Sequence, residues 1–157
     1  MEQKSRVQLH ESCVVPYRET ERGIEFCLVS KASANRWEFP HAQTDDPAGQ
    51  QQLLLNQAAD GAGLRGHLDA GGPFDAFVAS RGNESRSVSA YLMRVTRTED
   101  VWPKQDSQRR LWCLAEEARA RLRRKPLRRF IDLALRMVGP GRDAALPGDS
   151  EVPQKPR

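Results

Sequence analysis

Four residues near the middle of the chain have the spacing, but not the chemical types, of a metal-binding helix face. They are Asn56, Gln57, Asp60 and Gly61, which lie one helical turn apart and would share one side of a helix. Magnesium prefers hard oxygen ligands, usually carboxylates together with phosphates and water. The two amides can offer an oxygen but cannot neutralise a cation. Asp60 is therefore the metal-ligand candidate on this side, and one aspartate is a poor platform for a divalent metal.

The helix that would position these residues is predicted from about Pro47 to Ala62. Asp46 suits the N-cap and Pro47 suits the first helical position. Gly63 supplies a C-terminal stop. Apolar residues recur at helical spacing and are expected to face a core: Leu54, Leu55, Ala58, Ala59 and Ala62. The helix is thus well specified, although the side that would carry chemistry is mostly neutral.

The rest of the pattern predicts several strands, one long helix in the middle and helices at the end. Cys13-Val14-Val15 and Phe26-Cys27-Leu28-Val29 are near-continuous apolar runs, which are typical of strands covered on both faces. Strands are predicted over 12–18, 24–31, 74–80, 88–96 and 110–114, and closing helices over 115–124 and 126–137. This order indicates an α+β protein built as an α/β/α sandwich, with one domain over residues 1–138.

The composition is that of an ordinary soluble protein, with 38% hydrophobic and 29% charged residues and a formal charge of +4. No apolar run approaches membrane-spanning length and the start lacks the apolar stretch of a signal peptide, so we expect no membrane association and a cytoplasmic location. Cys13, Cys27 and Cys113 lack zinc-site spacing and are predicted to be buried free thiols. Residues 139–157 are rich in proline, glycine and polar residues and are predicted to form a disordered tail.

Residues 42–64 and their surroundings resemble the Nudix hydrolase family. The family signature is G-x5-E-x7-R-E-U-x-E-E-x-G-U, where U is a bulky aliphatic residue, and its closing glycine aligns with Gly63. Trp37-Glu38-Phe39-Pro40 looks like the W-x-F-P turn ahead of this catalytic box. Three later segments are similar to the branch of diadenosine polyphosphate and diphosphoinositol polyphosphate hydrolases: Trp102-Pro103, Arg109-Arg110-Leu111-Trp112 and Ala115-Glu116-Glu117-Ala118. The resemblance spans about residues 11–135 and implies a Nudix-type fold with a mixed sheet and a central helix.

Carried over position by position, the resemblance implies a degenerate catalytic box. Ala48, Gln57 and Gly61 stand where the family has glutamates, and Asp60 stands where it has a further acid. Asn56 replaces the arginine that orients those glutamates. Nudix enzymes hold the phosphates of a phosphoanhydride with divalent metals and direct a water onto one phosphorus. The losses are mutually consistent, as expected if the whole metal site had been released from use.

Other residues are candidates for contact with a ligand. His41 replaces a lysine of the family turn and is a candidate for phosphate contact, whereas Trp37 is a candidate for base stacking with core packing as the favoured alternative. Arg124 and Lys125 are two further candidates, because they belong to a basic run that would attract phosphates. The run consists of Arg119, Arg121, Arg123, Arg124, Lys125, Arg128 and Arg129. A solvated charged face balanced by nearby acids is the favoured alternative for this run. Nucleic acid ranks behind a small polyphosphate because aromatic residues do not interleave with the arginines.

Two functions remain open at this point. The first is a non-hydrolytic protein that binds a phosphorylated ligand or a protein partner and needs no cofactor. The second is an active phosphoanhydride hydrolase, acting on nucleoside or dinucleoside polyphosphates with Mg²⁺ or Mn²⁺. It would need substitute carboxylates, for which the candidates are Glu11, Glu38, Asp45, Asp46 and Asp60. Loss of nearly all box acids favours the first, since charge stabilisation near the phosphates supplies several kcal/mol.

Overall fold

The structure, a computed structural model, describes residues 7–43 and 47–139. Within these residues seven strands form one sheet: β1 (Val7–Thr20), β2 (Gly23–Lys31), β3 (His41–Gln43), β4 (Leu64–Leu68), β5 (Asp75–Arg81), β6 (Glu84–Thr98) and β7 (Gln108–Leu114). The helices are α1 (Gln50–Ala62), α2 (Ala115–Arg121) and α3 (Lys125–Val138), and a 3-10 turn covers Pro47–Gly49. The predicted α+β class is confirmed. None of the described helices is long and apolar enough to cross a membrane.

The sheet is mixed, as predicted. Its main path runs β4-β6-β1-β2-β7, with β3 paired to β1 and β5 paired to β6. The pairing of β1 with β6 is parallel, from Val7 opposite Glu84 to Tyr17 opposite Arg94, and the other strand pairs are antiparallel. One end of this sheet therefore collects the beginnings of β1, β6 and β7 together with the end of β2.

Each face of the sheet buries its own core. Val14 and Met93 pack with Leu54 of α1 on one face. Val15 and Phe130 belong to the core of the opposite face, which includes α2 and α3. Because successive residues of a strand point to opposite faces, coverage on both sides explains the continuous apolar runs. The helices thus flank the sheet as an α/β/α sandwich.

The boundaries of α1 are only partly as predicted. Its α-helical part begins at Gln50 rather than Pro47, because the 3-10 turn comes first, and Gly49 is an N-cap without a side-chain hydrogen bond. Its end is confirmed, since Gly63 adopts the left-handed conformation (φ 67°). The predicted cap Asp46 and the predicted tail beyond Gly139 lie outside the described residues.

The junction between α2 and α3 also differs from the prediction. The first of the two helices ends at Arg121 rather than Arg124, and Leu122 is buried in the core beside it. The guanidinium of Arg128 donates to the carbonyls of Leu122 (2.9 Å) and Arg123 (2.8 Å). These bonds satisfy two carbonyls of the short extended segment that separates the helices.

Candidate functional site

The C-terminal end of α1 is hydrogen-bonded to β7 and to the segment that joins β6 and β7. Gly63 closes the helix by donating its N–H to the carbonyl of Ala59 (3.0 Å). The next three carbonyls accept hydrogen bonds from outside the helix: Asp60 from the backbone N of Lys104 (2.9 Å), Gly61 from Nε2 of Gln108 (2.6 Å) and Ala62 from Nη1 of Arg110 (2.8 Å). Since a helix leaves its last carbonyls unpaired, these bonds fix the position of the end that carries the box residues.

Gly61 provides the space that the Gln108 side chain occupies. A Cβ added at position 61 would lie 2.5 Å from Nε2 of Gln108, closer than non-bonded atoms approach. Any side chain at position 61 would therefore displace this amide and break its bond to the Gly61 carbonyl. A neutral amide thus fills the space beside the position at which the family resemblance expects a metal-binding glutamate.

The side of α1 that was predicted to carry the chemistry is partly buried and partly exposed to solvent. Gln57 is half-buried and lines a cavity, and Gly61 is buried. Asn56 and Asp60 are exposed, as is Ala48 in the 3-10 turn. Of these box positions, Gln57 is the one that faces the cavity with a side chain.

Three adjoining cavities form a cleft at the end of the sheet, and Glu38 lines all of them. The amide cavity, of about 370 Å³, is lined by Gln57 and Gln108 together with Glu11, Glu38 and His41. A small cavity of about 90 Å³, the junction, lies between the amide cavity and a third cavity, with which it shares lining residues. The basic cavity, of about 650 Å³, is lined by Trp37, Glu38, Lys31, Arg36, Arg86, Arg123 and Arg124. Asp60 and Lys125 line none of the three.

Two of the carboxylates proposed as substitutes, Glu11 and Glu38, lie in this cleft. Oε2 of Glu11 is 3.1 Å from Nη1 of Arg86, and the Glu11 side chain is 15% exposed. Glu38 is held at the edge of β2 by backbone hydrogen bonds in both directions with Val29 (2.8 and 2.9 Å). Asp60 is in solvent, and Asp45 and Asp46 lie outside the described residues.

These side chains do not fit the Mg²⁺ or Mn²⁺ of a Nudix enzyme. Within 7–43 and 47–139, no three His, Cys, Asp or Glu side chains are grouped so that they could hold a metal ion. Glu11 is already paired with a guanidinium group, and the Gln57 amide cannot balance the charge of a cation. Within the part of the chain that the structure describes, the carboxylate of Glu11 therefore has an arginine as its partner.

Four arginines of the basic run have structural partners. Arg119 pairs with Asp132 (2.9 Å), Arg121 with Glu117 (2.9 Å) and Arg129 with Asp75 (2.7 Å), while Arg128 binds backbone carbonyls. Arg123 and Arg124 instead line the basic cavity. The run thus combines the predicted balanced face with two cleft-lining cations.

The aromatic rings of the cleft are in contact with guanidinium groups. Cζ of Arg109 and Cζ of Arg121 lie 5.1 Å and 5.9 Å from the ring centroid of Trp37. Cζ of Arg124 lies 5.1 Å from that of Phe77. Such cation–π contacts place charge over the ring faces that a nucleobase would use for stacking.

His41 is exposed and presents one ring nitrogen to the cleft. Its Nδ1 lies 3.3 Å from the carbonyl oxygen of Phe39. Because a carbonyl oxygen only accepts, Nδ1 carries the proton when this bond forms, and Nε2 is left as the second polar atom of the ring. His41 lines both the amide cavity and the junction, so it is suitably placed for the predicted phosphate contact.

The three cysteines are buried and free, as predicted. Cys13 lines the junction beneath the two cleft carboxylates. Burial, followed by the negative charges of Glu11 and Glu38, raises the pKa of Cys13 far above its ordinary value. The thiol therefore stays protonated at neutral pH and is not a nucleophile.

Four cleft residues were not selected from the sequence: Gln108, Arg86, Lys31 and Arg36. A usable signal existed for Arg86, which precedes Val88 and Ala90 on alternate positions of β6 and so continues the inward-facing side past the core. Lys31 and Arg36 flank a loop, and that position alone does not reveal a partner or a cavity.

No protein-family model matches the sequence, and no curated protein matches it. Solved structures match its fold. An Ap4A hydrolase binary complex from C. elegans is 16% identical with a TM-score of 0.69, over 83% of this chain and 97% of that chain. The Nudix domain of Shewanella oneidensis NrtR complexed with ADP ribose is 11% identical with a TM-score of 0.68, over 84% and 89%. A Nudix hydrolase from Nitrosomonas europaea is 11% identical with a TM-score of 0.64, over 81% and 88%. The predicted Nudix fold is confirmed.

Proposed function

We propose that this chain is a non-hydrolytic Nudix-fold protein that binds a phosphorylated ligand in the cleft around Glu38. The observation that carries this proposal is that neutral amides occupy the positions around the box. Gln108 occupies the space beside Gly61, and Gln57 is the box side chain that lines the cleft. Hydrolysis of a phosphoanhydride needs charge stabilisation at the attacked phosphorus and the leaving oxygen. A helix without cleft-facing carboxylates cannot supply it through a metal.

The phosphorylated ligand is supported by charge and by the structural neighbours. Arginine and lysine side chains gather at the basic cavity, and a concave positive surface attracts phosphate groups. Among the proteins of similar fold, one is an Ap4A hydrolase and another was solved with ADP ribose. Binding without turnover would use the same end of the sheet for a different purpose. A protein partner and the cytoplasmic location stay predictions.

The second candidate is a hydrolase with a rebuilt metal site. One observation favours it: Glu11 and Glu38 line the same cavity as Gln57 and His41. For this activity Glu11 would have to exchange Arg86 for a metal, and Glu38 would have to supply the second carboxylate. The existing ion pair between Glu11 and Arg86 makes this the weaker candidate.

The deciding experiment measures phosphate or nucleotide release from dinucleoside polyphosphates, nucleoside triphosphates and diphosphoinositol polyphosphates, with Mg²⁺ and with Mn²⁺. The unmodified protein is compared with Glu11→Gln, Glu38→Gln and, as a control outside the cleft, Asp60→Ala, after circular dichroism has shown all four to be folded. We expect no turnover above the buffer rate. Metal-dependent turnover that disappears in Glu11→Gln or Glu38→Gln would overturn the proposal and establish the hydrolase.

A further inference from the structure

We infer that the basic cavity is a metal-independent polyphosphate site that recognises phosphate groups and not a nucleobase. The inference rests on the proposed function and adds the chemical class of the ligand. Five cationic side chains line this cavity against the carboxylate of Glu38: Lys31, Arg36, Arg86, Arg123 and Arg124. A volume of about 650 Å³ lies in the range of small-molecule sites.

The cations converge from separate parts of the fold. Lys31 ends β2 and Arg36 lies in the loop that follows, Arg86 lies on β6, and Arg123 and Arg124 precede α3. A convergent set of this kind surrounds a guest from several sides, unlike the row of charges that one exposed helix presents. Concentrated positive potential in a concave site raises the local concentration of anions. The geometry therefore suits a compact ligand with several negative charges.

Three of these side chains have their donors available. Lys31, Arg36 and Arg123 form no ion pair with another residue of 7–43 or 47–139, in contrast to Arg119, Arg121 and Arg129. Guanidinium groups bind phosphate oxygens through paired, charge-assisted hydrogen bonds. The same pocket can therefore offer both charge and directional donors to successive phosphates.

A divalent metal would weaken this recognition. Fixed cations already line the cavity, so a free Mg²⁺ ion is repelled from it, and Mg²⁺ bound to a polyphosphate lowers the negative charge that the arginines attract. The expected metal dependence is therefore opposite to that of a metal-requiring site. Affinity for a polyphosphate should be highest when EDTA removes divalent ions.

A nucleobase would form few favourable stacking contacts in this cavity. Stacking needs an accessible aromatic face, whereas guanidinium groups contact Trp37 and Phe77, and Phe39 is 1% exposed. Inorganic tripolyphosphate and ATP should thus bind with similar affinity, since the phosphates supply the contacts. Adenosine, which has the base but no phosphate, should not bind.

Isothermal titration calorimetry with tripolyphosphate, ATP and adenosine tests this, first in EDTA and then with excess Mg²⁺. Arg123→Gln and Arg124→Gln are expected to weaken tripolyphosphate binding by about tenfold each, since each removes a charge-assisted contact. Arg136→Gln is the matched control because it removes the same charge from an exposed position of α3 that does not line the cavity. Its affinity should match that of the unmodified protein.

The outcomes separate the two claims. Binding of tripolyphosphate and ATP in EDTA, with weaker binding in Mg²⁺, supports the inference. Binding that requires Mg²⁺, or that favours ATP strongly over tripolyphosphate, overturns the inference but leaves a phosphorylated ligand as the proposed function. Failure of the folded protein to bind any polyphosphate with or without Mg²⁺ overturns both. An equal loss of affinity in Arg136→Gln also overturns the inference, because it indicates attraction to overall charge.

Discussion

The two helical sides of the cleft have similar architectural roles and opposite chemistry. On one side, α1 buries Leu54 in its core and its carbonyls are held by Gln108 and Arg110, yet the side chain that it presents to the cleft is a neutral amide. On the other side, the junction of α2 and α3 buries Leu122 in the opposite core and presents Arg123 and Arg124.

This difference shows that the structural role of α1 does not require acidic residues at the box positions. The fold depends on the apolar stripe of α1 and on its backbone hydrogen bonds, neither of which requires the acids of the box. The proposed ligand binding would depend instead on side chains that reach the cleft from the other side and from the strands. The following predictions test whether the two roles are as separable as this comparison suggests.

The largest expected effect comes from returning acids to α1. In the variant Gln57→Glu, Gly61→Glu, Gln108→Ala, the shortened residue 108 leaves space for a side chain at position 61, and two carboxylates would then face the cleft. We expect this variant to bind Mn²⁺, measured by electron paramagnetic resonance titration, where the parent chain does not. Carboxylates are the ligands that such cations prefer.

The control for that variant carries the same added charge outside the cleft, as Gln51→Glu, Gln52→Glu, Gln108→Ala, because Gln51 and Gln52 are exposed on α1. Equal Mn²⁺ binding by this control would show a general effect of charge. Absence of binding in both would mean that α1 has lost more than its acids.

A smaller effect is expected at the hydrogen-bonded end of α1. Arg110 donates to the carbonyl of Ala62 and lies 4.2 Å from the ring centroid of Trp102. Arg110→Gln should lower the free energy of unfolding by about 1.5–3 kcal/mol, the range for hydrogen bonds that involve a charged group. Urea denaturation measures this, with Arg65→Gln as the control, since Arg65 forms a more exposed ion pair with Glu99. A loss no larger than that of the control would mean that the bond to Ala62 does not support the helix.

On the opposite side, two neighbouring arginines should separate stability from binding. Arg129→Gln removes a partly exposed ion pair with Asp75 and should cost about 0.2–1 kcal/mol of unfolding free energy, with tripolyphosphate affinity unchanged. Arg124→Gln should have the reverse profile, with weaker tripolyphosphate binding and a smaller change in stability. Parallel urea and calorimetric titrations check both, and a loss of affinity in Arg129→Gln would contradict the division of the basic run.

The two cores can also be compared at alkaline pH. Burial raises the pKa of Cys27, which packs on the α1 face, to about 12, and raises that of Cys113, on the opposite face, to about 11. In the unfolded chain these thiols ionise near their ordinary value of about 8.5. The folded state therefore binds more protons, and stability that is complete below this value falls as the pH rises above it.

Urea midpoints at pH 8 and pH 10 measure this loss. Cys27→Ala and Cys113→Ala should each remove a similar part of it, because the folded-state pKa values of both thiols lie above pH 10. An identical decline in the unmodified protein and in both variants would show that other groups control the alkaline side.

Elements with a strong local pattern could be predicted from the sequence. The apolar runs at Val14 and Leu28 and the stop at Gly63 are in the structure as expected. β3 and β4 were not predicted, because each is too short to show a clear alternation of apolar and polar residues. β4 also contains Gly66, which lies where a Cβ would collide with the carbonyl oxygen of Arg94, beside an irregularity in the pairing with β6. Tertiary pairing, rather than propensity, makes such a segment a strand.

The site was predictable only where its residues are close in sequence. The absence of acids can be read directly from the box, and the sequence also offers Glu11 and Glu38 as candidate substitute carboxylates. Neither the pairing of Glu11 with Arg86 nor the placement of Gln108 beside Gly61 could be deduced, because each joins elements that are far apart along the chain. Contacts of this kind follow from sheet order, which a local pattern does not contain.

The parallel pairing of β1 with β6 has a consequence for the order in which the protein assembles during synthesis. His10 and Ser87, which hydrogen-bond (3.0 Å) across this pair, are separated by 77 residues. A nascent chain must hold β1 without its central partner until β6 has emerged, and closing so long a loop slows folding. Glu11 meets Arg86 only at that stage, so the cleft is completed after most of the chain has been made. The exposed edge of β1 is the surface that a chaperone would need to protect during this interval.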